Sequence, residues 1–106
     1  MHASMRTYRV KSGSVEGLMR RVDRDFAEAL AQEPGFVAYQ AMRLGPDRIC
    51  TISVFAGRAQ ADASNELAAQ WVADELQDFD IELMGVIGGD VMVSRAAAGF
   101  LEPAHV

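Results

Sequence analysis

The stretch that most restricts what this chain can fold into runs from Pro34 to Leu76, PGFVAYQAMRLGPDRICTISVFAGRAQADASNELAAQWVADEL. Two runs rich in β-branched and aromatic residues, Phe36 to Leu44 and Arg48 to Ala56, flank Gly45-Pro46-Asp47. Pro46 presets φ for a turn and Asp47 can bond its own backbone, so the two runs read as an antiparallel hairpin. Gly57 ends the second run. From about Arg58 or Gln60 to Leu76 the pattern changes to a helical period, with Ala61, Leu67, Ala68, Trp71, Val72 and Leu76 on one side.

The segment upstream completes half of a known arrangement. Residues 5–11 alternate imperfectly and predict a first strand, Ser12-Gly13-Ser14 breaks it, and Ser14 is a candidate N-cap. Val15, Leu18, Met19, Val22, Phe26, Ala29 and Leu30 then recur at three- and four-residue steps, filling a stripe about 120° wide. That helix stops at Glu33-Pro34, because a residue before proline is pushed out of helical geometry. Downstream, residues 77–84 suggest a short helical turn. Gly85, Gly88 and Gly89 interrupt the chain, and Asp90 to Arg95 is the expected last strand.

The order β-α-β-β-α-β predicts an α+β, ferredoxin-like fold: a four-stranded antiparallel sheet with both helices on one face, as right-handed crossovers require. At 106 residues the chain fits one domain, 1–106, with a core of about 5–95 and a tail from Ala96 in which Phe100 and Leu101 could dock. The other sheet face should be polar if it meets water. Instead Phe36, Ala38 and Met42 oppose Val37, Tyr39 and Ala41. Likewise Cys50, Ile52, Val54 and Ala56 oppose Ile49, Thr51, Ser53 and Phe55, and Val91 and Val93 oppose Met92. Apolar residues on both faces predict a homodimer packed sheet to sheet, with a tail folded over that face as the alternative.

Bulk properties remove other classes. A net charge of -5 disfavours nucleic acid as a partner. No run is long and apolar enough to cross a membrane, and the start of the chain lacks the apolar core of a signal peptide. The single cysteine, Cys50, permits no intrachain disulfide and reads as a small buried hydrophobe, so a cytoplasmic location is expected. No metal-ligand spacing is present. His2 and His105 lie near the ends of the sequence, which leaves a Ser-His-Asp triad without a well-anchored base.

The TyrArgVal strand, ProGlyPheValAlaTyr after the first helix, ThrIleSerValPhe, and above all SerAsnGluLeuAlaAlaGlnTrpVal at 64–72 resemble the antibiotic biosynthesis monooxygenase-like family of the dimeric α/β-barrel superfamily. The resemblance implies a small cavity between sheet and helices in each subunit. It also implies oxygenation of a flat aromatic compound without metal or flavin, the substrate's own enolate or phenolate reducing oxygen. Such a site needs an apolar slot, donors for an oxyanion and exclusion of water. On that footing Asn65, Trp71 and Tyr39 are the candidate catalytic residues: amide donor, ring wall and phenol donor. Tyr8, Ser53 and Phe55 are candidate substrate contacts. Asn65 and Trp71 stand six positions apart, about 120° around the helix axis, and so flank the apolar stripe. Arg6, Arg9 and Arg43 read as strand-edge or interface charges. The absence of histidine from the second helix and the segment after it argues against haem ligation. The alternative to an enzyme is a non-catalytic dimeric domain that binds a small molecule or assists a partner, which predicts a small or closed cavity.

Overall fold

β1 (His2–Ser12) is the strand on which the computed structural model, described over residues 1–97, is built. Its residues alternate between buried and partly covered along nearly its whole length, and it pairs antiparallel with a neighbour on each side. The remaining strands are β2 (Phe36–Arg43), β3 (Arg48–Phe55) and β4 (Asp80–Asp90), and the sheet order is β2-β3-β1-β4. This is the four-stranded antiparallel, ferredoxin-like α+β fold. Among the described residues no helix is long and apolar enough to cross a membrane.

The turn out of β1 needs Gly13, whose φ of 86° is left-handed and whose missing Cβ leaves room for the Phe79 ring. Ser14 then caps the helix, its Oγ accepting from the Gly17 N–H at 2.9 Å. The helix has three parts: α1 (Val15–Arg21), a π-helical turn (Val22–Ala27) and α2 (Glu28–Ala31). Leu18, Val22, Phe26 and Leu30 recur every four residues and are all buried. In an α-helix of 3.6 residues per turn such a row drifts around the axis. The wider π turn slows that drift and keeps Val22 and Phe26 aimed at the sheet.

The second helix, α3 (Arg58–Glu75), crosses the same face. Beneath it β1 presents Ser4, Arg6, Tyr8 and Val10, all buried, and β3 presents Ile49, Ser53 and Phe55. Phe55 is 0% exposed and stacks edge-on against Phe36 at 5.8 Å. Phe36 was expected to share a face with Ala38 and Met42. A register shift between Phe36 and Ala38 instead inserts one residue, so Phe36 faces the helices with Tyr39 while Ala38 and Met42 face outward.

The last strand lies earlier than the glycines suggested. Residues 80–90 pair with β1 from Ser12↔Asp80 to His2↔Asp90, whereas 91–97 carry no regular structure and leave Met92 and Val93 exposed. Glycine weakens a strand locally, but the ladder to β1 decides, and at an edge the side chains missing from Gly85 and Gly89 deprive nothing of a contact. A second register shift, between Thr7 and Tyr8, accommodates Met84. Beside the well-covered β1 and β3, β4 is exposed on both faces: Leu83 and Val86 towards the helix side and Ile87, 67% exposed, on the other. Phe100, Leu101, His105 and the tail as an alternative cover all fall outside the described residues.

Candidate functional site

The seam between α3 and the sheet holds two cavities, set along one row of β1 side chains. His2, Ser4, Arg6 and Tyr8 alternate onto the helix-facing side, each about 7 Å from the next. Tyr8 opens into one cavity and Ser4 and His2 into the other; Arg6 stands between them.

The first cavity is aromatic. Tyr8, Phe26, Tyr39 and Trp71 line it with Leu18, Val22, Leu76 and neighbouring apolar side chains. Phe26 is its hub, 5.3 Å from the Trp71 ring and 5.7 Å, edge-on, from Tyr39. The space left is about 30 Å³, enough for a water and far too little for an aromatic ring. Burial pushes the Tyr39 phenol well above its ordinary value, and the nearby Tyr8 adds to this against smaller opposing effects of Thr51 and Arg6. Tyr39 therefore stays protonated and keeps its O–H.

Arg6 was expected as a strand-edge or interface charge and is instead buried on the helix-facing side of the sheet, 8% exposed. Its Nε donates to the Tyr8 hydroxyl at 2.6 Å, and its guanidinium lies 5.5 Å from the centre of the Tyr8 ring. It forms no ion pair among the described residues, unlike Arg9, Arg21 and Arg43, which meet Asp47, Asp78 and Glu16. Sequence reasoning missed it because a charge on an imperfectly alternating strand defaults to the outside. The available signal was parity: Arg6 shares its face with Tyr8 and Val10.

The second cavity is polar and open, about 390 Å³, bounded by α3 and the far half of β4. Ser4, Asn65, His2, Asp90, Gly88 and the Arg58–Asp62 pair line it. The Asn65 Nδ2 donates to Ser4 Oγ at 3.2 Å, while its Oδ1 is buried with no partner among the described residues. Turning the amide over would exchange the two atoms and still leave one unpaired. His2, though second in the sequence, is anchored: β1 pairs it with Phe55 and Asp90, and its Nδ1 lies 3.3 Å from Asp90 Oδ1.

The six sequence candidates thus separate. Tyr8, Tyr39 and Trp71 meet in the aromatic cavity, and Asn65 lines the polar one. Ser53 is buried beside Ser4 and Tyr39 in the ladder, and Phe55 is a fully covered core residue. Neither of these two lines either of the two cavities described. Among the described residues no cluster of three or more His, Cys, Asp or Glu side chains is placed to hold a metal ion.

Comparison with known proteins agrees with this architecture. HapK from Hahella chejuensis superposes with a TM-score of 0.69 at 18% identity, over 93% of this chain and 100% of that one. A dimeric ferredoxin-like protein from an uncultured marine organism gives 0.67 at 12% identity, over 92% and 100%. SnoaB, a cofactor-independent oxygenase from Streptomyces nogalater, gives 0.61 at 14%, over 88% and 94%. At these identities the likeness is one of fold. No curated protein gives a significant sequence match. The model of the antibiotic biosynthesis monooxygenase family matches residues 1–73, from β1 through most of α3, and on that match the chain belongs to this family.

Proposed function

We propose that this protein is a cofactor-independent monooxygenase acting on a small aromatic compound, as a homodimer joined through the outer sheet face in the cytoplasm. Arg6 carries the reading. Arg6 is 8% exposed, donates to Tyr8 and meets no acid among the described residues, and a substrate that ionises to an enolate or phenolate offers it a counter-charge when bound. The α3–β4 cleft has the size of a small-molecule site; on the β1 side its lining runs from His2 to Ser4 and stops one side-chain step short of Arg6, which lines neither cavity. Asn65 then offers an amide donor. Trp71, Tyr39 and Tyr8 close the far end, where the residual space is about 30 Å³.

The chemistry balances without a cofactor. A ring methylene flanked by conjugating groups loses a proton. Its carbanion adds O2, the peroxide regains the proton, and loss of water leaves a carbonyl. One oxygen atom enters the product and the other leaves as water. The test is oxygen uptake with anthrone, a tricycle carrying such a methylene. We expect one O2 per anthrone, insensitivity to chelators, and a fall in kcat of about 100-fold in Arg6→Gln, the scale of losing one oxyanion donor. Unchanged turnover in Asn65→Ala and Trp71→Ala would remove those two from the site.

The small aromatic cavity favours a second reading, a non-catalytic dimeric binding domain. Ligand-induced thermal stabilisation without oxygen consumption would select it. For either reading, Ile52, Val54, Met42 and Ile87 on the outward face are the proposed subunit contact. Sedimentation at micromolar concentration should give twice the chain mass, and a single-chain mass would overturn the dimer.

A further inference from the structure

The proposed reaction begins with loss of a proton, and the aromatic cavity offers nothing to take it. Its titratable lining groups are the phenols of Tyr8 and Tyr39, and Tyr39 is held in its protonated form. Arg6 is a permanent cation. The polar cleft is differently equipped. A carboxylate only accepts, so in the tautomer that bonds Asp90 at 3.3 Å the His2 Nδ1 is the donor, and in that tautomer Nε2 holds the lone pair. The His2 side chain is only 12% exposed, so its ring is held rather than free. Nε2 packs over Gly88: a Cβ built on that glycine would lie 3.1 Å from it, 3.2 Å from the Ala3 carbonyl oxygen and 3.6 Å from Ser4 Oγ. The missing side chain at Gly88 therefore makes room for the imidazole itself. His2, Ser4 and Gly88 together form part of the wall of the cleft of about 390 Å³. The other charged groups on this cleft are Arg58 and Asp62, from α3, which pair with each other at 3.8 Å; β3 places Phe55 opposite His2 and adds no charge.

We infer that His2 is the general base of this protein, its Nε2 taking the proton from a substrate bound in the cleft, with Asp90 as the residue that orients the ring. The inference rests on the oxygenase reading but concerns a step that precedes oxygen. In that step the substrate C–H bond breaks, its electron pair stays on the ring as an enolate, and the proton moves to Nε2. After O2 has added to carbon, His2 returns the proton to the peroxide and is regenerated neutral. Beside the base, Ser4 Oγ accepts from Asn65 and keeps its own O–H to donate to the enolate oxygen.

Exchange in deuterated water without oxygen isolates this step. Anthrone is incubated with the protein anaerobically, and loss of its methylene proton signal is followed by NMR. The wild-type protein should accelerate exchange, and His2→Ala and His2→Gln should each lower the enzyme-dependent rate by about 100-fold or more, with unchanged melting temperature for at least one of them. Imidazole added to the buffer should restore exchange in His2→Ala and leave the wild type unaffected, a response that a purely structural histidine would not give. Asp90→Asn should lower the rate less than loss of His2. Exchange at the wild-type rate in a folded His2 variant, or no exchange by the wild type, overturns the assignment. Exchange without oxygen uptake in air supports His2 and defeats the oxygenase reading. Oxygen uptake that survives His2→Ala defeats His2 and leaves that reading standing.

Discussion

The two ends of the α3 seam are made from the same pair of elements and could hardly differ more. At the Trp71 end four aromatic rings and a ring of aliphatics converge until about a water's volume is left. At the Asn65 end the helix stands over serine, histidine and glycine, and the cleft stays wide and wet. The difference comes from what lies opposite. The closed end is covered from a second direction by α1 and the π turn, which bring Leu18, Val22 and Phe26 against α3. The open end faces β4, where Gly88 and Gly89 interrupt the lining and Val86, Ile87 and Asp90 at an uncovered edge do not fill the space. Closure here needs three partners, and substrate-sized room appears where one is missing.

The comparison breaks first, if it breaks, at the closed end. Leu18→Ala removes a side chain that is almost wholly covered and lines the aromatic cavity, so it should cost about 2–5 kcal/mol in urea denaturation. A loss below about 1 kcal/mol would mean the end collapses easily and is not tightly packed. At the open end, Asn65→Leu removes one hydrogen bond together with one unpaired buried amide atom, so stability should change by no more than about 1 kcal/mol in either direction. A larger loss would make Asn65 a structural residue. The smallest effect concerns the clamp outside the closed end, where Arg21 Nη1 donates to Asp78 at 2.7 Å and the guanidinium stacks over Phe79. The Arg21 hydrogen bond holds the Asp78 carboxyl below its ordinary value of 3.8. A carboxyl depressed on folding stabilises the protein above its unfolded value, and the contribution is lost as pH falls through the folded one. Stability should therefore decline more steeply below about pH 4 in the wild type than in Arg21→Ala, by a small margin because the pair is solvated. Parallel pH curves for the two proteins would remove the clamp.

Element order was the most legible part of the sequence, since Pro34, Gly45-Pro46-Asp47 and Gly57 punctuate it and the helical period of residues 15–30 is strong. What escaped was non-local. The glycines at 85, 88 and 89 argue locally against a strand, and only the full ladder to β1 makes one. Phe36 changes face because of a register shift that alternation alone cannot reveal. Of the site, the angular separation of Asn65 and Trp71 was readable on a helical wheel, and the structure puts them at opposite ends of the seam. Arg6 and His2 were not readable as site residues, because one looked like surface charge and the other like a fraying end. Each is fixed by a pairing partner distant in sequence, Thr51 and Val86 for Arg6, Phe55 and Asp90 for His2.

The π turn at residues 22–27 has a consequence for how tightly chain length is fixed behind the aromatic wall. A wide turn is a helix that has absorbed one surplus residue instead of expelling it as a loop. Delete that residue and the winding becomes ordinary with the flanking turns still in their places, because a π turn winds the chain about as far as an α turn one residue shorter. The outer side of the turn is Asp23, Arg24 and Asp25, all exposed, so Leu18, Phe26 and Leu30 would keep facing the sheet. Chain length at this one place is thus free to change by one without disturbing the aromatic wall.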